Sequence, residues 1–193
     1  MTPTPAPPVP AAARIPRPYR SAPARAPRGV TGGVVAAAPD GDVVVFLIGM
    51  RINRWRAVRT WFPVFGAMPR MIAELTRHPA DGLLGARNYW SGRVVLVVQY
   101  WRSLEELGRY AHDPAKAHRP AWARFNARAA GGGDVGIFHE TYRVAAADVE
   151  STYGNMPAFG LALAHAGVPY AAHTDTDARR AMAHEPAELV DPA

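Results

Sequence analysis

"LLGARNYWSGRVVLVVQYW", residues 83–101, is two strand-like runs around a short turn. Arg93–Trp101 is rich in valine and aromatic residues, Leu83–Trp90 opens on two leucines and ends on Tyr89-Trp90, and Ser91-Gly92 between them supplies a glycine-containing two-residue turn. That combination predicts a β-hairpin. Upstream, Val58, Trp61, Phe62, Phe65, Met68, Ile72 and Leu75 recur every three or four residues, the stripe of an amphipathic helix. Pro63 and Pro69 lie off the stripe, and each removes a backbone donor, so this helix is expected to start late, bend or break there. Further upstream, "DVVVFLIGMRIN" (42–53) is an apolar run long enough for a buried strand.

Downstream of the hairpin, Ser103 is followed three residues later by Glu106, a capping box that opens a short helix with Leu104, Leu107 and Ala111 on its apolar face. Asp113-Pro114 predicts another start, with His118, Trp122, Phe125 and Ala129 on one side, and Gly131–Gly133 stops it. "DVGIFHETYRV" (134–144) reads as a last main strand, and residues 149–167 as an added edge strand and covering turn. The order is strand, helix, strand, strand, helix in two pieces, strand. This predicts an α+β, ferredoxin-like βαββαβ domain with an antiparallel sheet. Helices cover one face of such a sheet. The other face needs a cover in a chain this apolar, so a homodimer is expected, its two sheets enclosing a barrel-like space.

Composition bounds the function classes. The 193 residues are 49% hydrophobic and 20% charged, enough for one domain with a real core. The net charge is +6, but residues 1–39 contain Arg14, Arg17, Arg20, Arg25 and Arg28 and no acid. Almost all of the excess charge therefore belongs to a leader, which argues against a nucleic-acid partner for the domain. Residues 1–33 hold nine prolines and little that could pack, so 1–39 is expected to be disordered, 40–170 to form the domain, and 171–193 to be a polar tail. There is no cysteine, which excludes disulfides, thiolate catalysis and Cys-ligated metal or haem. The N-terminus has no continuous apolar core of the kind a signal peptide needs, and the longest apolar run, at 43–50, is far too short for a membrane span, so a cytoplasmic protein with no membrane partner is expected.

Familiar catalytic signatures are missing: no Walker loop, no G-x-G-x-x-G, no H-E-x-x-H, no nucleophile elbow. What remains is polar residues inside apolar strands. Arg51 and Asn53 end the first strand, Arg87 and Asn88 sit in the second, and Gln99 and Trp101 share a face of the third. In the fourth, His139 and Thr141 share one face, Glu140 and Tyr142 the other. An apolar hollow with a few polar anchors is the usual make-up of a small-molecule site. The bland alternative is that these residues mark strand ends and dimer contacts. His118 lies on the Trp122–Phe125 stripe, as a half-buried core histidine or as an acid or base at a pocket edge.

The stretches "WFPVFGAMPRMIAEL", "SLEELGRYAHDPAKAHRPAWARFN", "VGIFHETY" and "YGNMPAFGLALA" resemble an uncharacterised bacterial monooxygenase-like family of the dimeric α/β-barrel superfamily. More distantly, the chain is similar to haem-containing aldoxime dehydratases in the order of "WRSLE", a histidine-bearing helix, a strand with His-Glu at its centre, and an Asn-containing segment before Gly-Leu. That likeness implies haem as cofactor and His139 as its axial ligand, looking into a hollow sealed by a second copy of the chain. Arg51, Gln99 and Trp101 would line the pocket, Trp101 against the cofactor, with Arg51, Gln99 and His118 as catalytic candidates. The dehydratases carry a distal histidine just after the Asn. Here Asn155 is followed by Met156 and Pro157, so the pattern departs there. Two alternatives stand beside the haem reading. One is a cofactor-independent monooxygenase of the antibiotic-biosynthesis type, since relatives in this superfamily oxidise electron-rich aromatic molecules without a cofactor. The other is a non-enzymatic ligand-binding dimer.

Overall fold

A computed structural model describes residues 29–117, 119, 122–123, 125–126, 131–165 and 167–169. These residues fall into two compact units. One runs from Val43 to Arg143, and the other combines 29–42 with 144–169. No helix among the described residues is long and apolar enough to cross a membrane.

The main unit contains β2 (Val43–Ile52), α1 (Val58–Arg77), β3 (Leu83–Ser91), β4 (Val94–Trp101), α2 (Leu104–His112) and β5 (Val135–Val144). Its sheet has the order β3-β4-β2-β5, and β4 runs antiparallel to both of its neighbours, β3 and β2. This is the ferredoxin-like α+β arrangement expected from the element order. The hairpin turn falls one residue later than the sequence indicates: Ser91 pairs with Val94, and Gly92 adopts φ 54°, a left-handed value that a side chain would strain. The capping box forms, with the Glu106 backbone N–H donating to Ser103 Oγ at 3.1 Å.

Helix α1 differs from expectation, because it runs through both Pro63 and Pro69 without a break. Both prolines are exposed, so each lost backbone hydrogen bond leaves a carbonyl that water can reach. Tertiary packing holds the opposite side. Trp61, Val64 and Phe65 pack against Met50, Ile52 and Val135, and Leu75 is buried with Val44, Trp101, Leu107 and Tyr110. Past α2, the Asp113 side chain accepts from the Ala115 backbone N–H at 2.8 Å, and turns occupy 114–117. The expected helix start at Pro114 is thus delayed; residues 119, 122–123 and 125–126 are helical.

Register decides what each sheet face carries, because directly opposed residues of an antiparallel pair share a face. Val44, Phe46, Ile48 and Met50 oppose Trp101, Gln99, Val97 and Val95 on the helix-covered face. Val45 and Leu47 oppose Tyr100 and Val98 on the other face, where all four are only half-buried.

The second unit holds β1 (Val34–Ala37), β6 (Tyr153–Gly154), α3 (Gly160–Ala164) and β7 (Gly167–Pro169), with sheet order β6-β1-β7. β1 lies inside the stretch 1–39 expected to be disordered. Asn155 adopts φ 50°, accepts from the Gly33 N–H through its side chain and donates its own N–H to the Gly33 carbonyl. It closes the end of the β1–β6 pair. The remainder of the leader, 1–28, and the tail expected at 171–193 lie outside the described residues.

Candidate functional site

The site grows out of β5. Its alternation puts Ile137, His139 and Thr141 on the helix side, while Glu140 and Tyr142, hydrogen-bonded to one another, take the other. The bond from Tyr142 to Glu140, together with the carboxylate charge, raises the Tyr142 pKa above the ordinary phenol value.

The three helix-side residues border a cavity of about 770 Å³ between the sheet and α1. Its floor is Phe46, Ile48 and Met50 of β2 with Val95 and Val97 of β4, and its roof is the Phe62–Met71 stretch of α1. Trp122 and Phe125, stacked with centroids 5.7 Å apart, complete the wall. Over the hollow α1 presents Gly66 and Ala67, which take up little of the space; a Cβ at Gly66 would meet nothing within 4 Å.

Its polar lining among the described residues is short: Thr60, Arg70, His139 and Thr141, with no carboxylate. Arg70 and His139 are both exposed while bordering the cavity, so they stand where it opens to solvent. The imidazole of His139 packs against the Phe46 ring at 5.7 Å between centroids and 41° between planes. Such a group can accept or donate a proton at the edge of an apolar chamber.

The hollow beside His139 therefore lies on the helix-covered face, inside one chain. This corrects the expectation of a space sealed by a second copy. The reason is that β5 carries apolar residues on both faces, so its alternation alone could not assign the imidazole to one.

The remaining sequence candidates are placed as follows. Gln99 and Trp101 are on the helix side and buried, 4% and 1% exposed. Trp101 Nε1 donates to Gln99 Oε1 at 2.8 Å, and Gln99 Nε2 reaches Met68 Sδ at 3.9 Å. They lie outside the cavity lining; Gln99 supports Met68, which is part of it. Arg51 opposes Val94 on the other face, is exposed, and hydrogen-bonds Asn53. It is not brought together with His139. His118 lies outside the described residues.

Sequence reasoning passed over Arg70. The available signal was charge: from Val43 to Ala73 the chain has five arginines and no acid. It also passed over Glu74, whose Oε2 accepts from the Tyr110 hydroxyl at 3.1 Å and from the Ala117 backbone N–H at 3.0 Å, tying α1 to α2 and to the segment after it. Burial, with the Glu74 charge and hydrogen bond, holds the Tyr110 pKa far above the usual phenol value.

A haem would require an imidazole facing open space and a partner fixing that imidazole's second nitrogen. His139 supplies the first. Among the described residues no hydrogen bond to its ring is formed, so the site meets half of the requirement. No cluster of three or more metal-ligating side chains exists among the described residues.

A sequence-family model described as monooxygenase af470-like matches residues 43–161, well over half of the chain. A curated relative, monooxygenase af470 of Aspergillus fumigatus (strain Af293), is 33% identical over 125 residues, covering 60% of this chain and 43% of its own. The chain thus spans under half the length of that relative. Among solved structures, an aldoxime dehydratase in complex with butyraldoxime superposes with a TM-score of 0.59 at 19% identity, over 70% of this chain and 40% of that one. At that identity the likeness shows the fold alone. A cofactor-independent oxygenase from Streptomyces nogalater matches with a TM-score of 0.38 at 14% identity, over 52% of this chain and 91% of that one, too low to carry an argument.

Proposed function

Because the chain belongs to the monooxygenase af470-like family, we propose that it is an oxygenase-type enzyme that takes a small, largely apolar organic substrate into the cavity between α1 and the sheet. The observation that carries this reading is the imidazole of His139 at the edge of a hollow of about 770 Å³ whose wall is otherwise almost wholly apolar.

The chemistry follows from those parts. An apolar wall excludes water and holds the substrate by burial. His139 accepts a proton from an activated C–H or phenolic O–H at the mouth, and Thr141, on the same face of β5, offers a hydrogen bond to the substrate oxygen. The resulting electron-rich anion is the form that hands electrons to dioxygen. Gln99 and Trp101 act behind the wall, by fixing Met68. Arg51 faces away and has no part in this scheme. His118 stays a candidate second acid or base.

Oxygen uptake by purified, metal-free protein with a panel of phenols and quinols tests it. His139→Phe should lower the rate about a hundredfold, the size of a general-base contribution. No uptake with any electron-rich aromatic, or full activity in His139→Phe, defeats the reading.

One observation favours a second version, in which the same imidazole holds haem: it is a nitrogen donor bordering an apolar chamber. Bound haem would supply the redox chemistry, with His139 as its protein ligand. A Soret band on adding haemin, lost in His139→Ala, would install this version in place of the first. The apolar outer face of the sheet supports pairing with a second copy, which sedimentation would detect.

A further inference from the structure

We propose that the substrate is an amphiphile bearing a carboxylate, its apolar body in the cavity and its anionic head held by Arg70 at the mouth. This rests on reading the cavity as the substrate site and names the class of molecule that fits it.

The charge around the cavity is one-sided. Arg70 is the only permanently charged side chain among the described lining residues, the other titratable group is the imidazole of His139, and no carboxylate borders the space. The segments 43–73 and 114–133, which supply most of the lining, contain no Asp or Glu; α2 adds Leu107 and Ala111 to the wall, and its Glu106 is paired with Arg102. An apolar chamber with such a rim repels nothing anionic and attracts it over several ångströms.

Arg70 is also available. Glu74 lies one helical turn on, the position from which it could neutralise Arg70. Its Oε2 is instead engaged by the Tyr110 hydroxyl and the Ala117 N–H, and no ion pair joins it to Arg70. Asp81 is likewise paired, with Lys116. Exposed yet bordering the cavity, Arg70 keeps its guanidinium hydrated until a carboxylate arrives, and the planar fork suits one.

The test is displacement of the neutral fluorophore N-phenyl-1-naphthylamine from the full-length protein by decanoate and by decanol, both below their aggregation concentrations. Decanoate should displace it about tenfold more tightly than decanol, the difference a charge-assisted contact at a hydrated rim supplies. Arg70→Gln should bring decanoate down to the level of decanol and leave decanol within about twofold, which also shows the variant is folded. Equal affinities in the wild type, an undiminished preference in Arg70→Gln, or no binding of either compound overturns the proposal. Turnover is not measured here, so a failure to consume oxygen leaves this result standing, and loss of carboxylate preference leaves the oxygenase reading standing.

Discussion

The helix-covered face of the sheet is packed at both ends of β2 and hollow between them, and its fullest end contrasts with that hollow. At one end Val44, Leu75, Trp101, Leu107 and Tyr110 fill the space between layers. Beside it, Phe46, Ile48, Met50 and Met68 surround a hollow of about 770 Å³. The same strands and the same helix serve both. What differs is side-chain volume: at the filled end the Trp101 and Tyr110 rings meet at a tilt, 5.8 Å between centroids, while over the hollow α1 brings Gly66 and Ala67. The comparison teaches that this fold keeps a chamber between packed clusters instead of filling the whole space under α1.

The largest effect should come from breaking the filled end. Trp101→Ala removes a side chain that is 1% exposed and also strips Gln99 of its hydrogen-bond donor, so it should cost about 3–5 kcal/mol in denaturant unfolding. Met68→Ala, over the hollow, removes a half-buried side chain and its weak contact with Gln99, and should cost less, about 1–2 kcal/mol, by the same measurement. Equal costs would erase the contrast.

A smaller effect sharpens it at the boundary. Gly49 is opposed to Leu96, and a Cβ built there would stand 2.6 Å from the Val95 carbonyl oxygen and 2.5 Å from the Phe138 ring. Gly49→Ala should therefore destabilise by about 1–3 kcal/mol, though it borders the cavity, because the strand itself is tightly approached. A neutral outcome would mean that the sheet yields as readily as the hollow suggests.

The smallest effect belongs to the second unit. Burial lowers the His165 pKa below the usual imidazole value, against a weaker opposing pull from Asp40. The folded form thus binds this proton less readily than the unfolded chain. Its stability is complete above the unfolded value, about 6.5, and falls as pH drops below it. His165→Gln should flatten that acid-side slope in thermal melts, while His139→Phe in the main unit leaves it in place.

Much of this was legible in the chain. The hairpin at 83–101, the capping box at Ser103 and Glu106, and the strand around His139 came from local chemistry and formed with small shifts of boundary. The path of α1 through Pro63 and Pro69 was not legible, because whether a proline breaks a helix depends on what packs against the other side. Arg70 was overlooked for a related reason: on a helix it reads as one more surface charge until a cavity is found beneath it.

By itself the sequence determined the order of elements, the βαββαβ plan and the set of polar residues that had to be accommodated in apolar strands. Those properties follow from periodicity, turns and caps, which act over a few residues. Only the tertiary structure decided that Arg51 and His139 look out from opposite faces, that the chamber lies under α1, and that Gln99 and Trp101 close its filled end. These depend on register between strands far apart in the chain and on the volume left between layers, and no short stretch of residues encodes either.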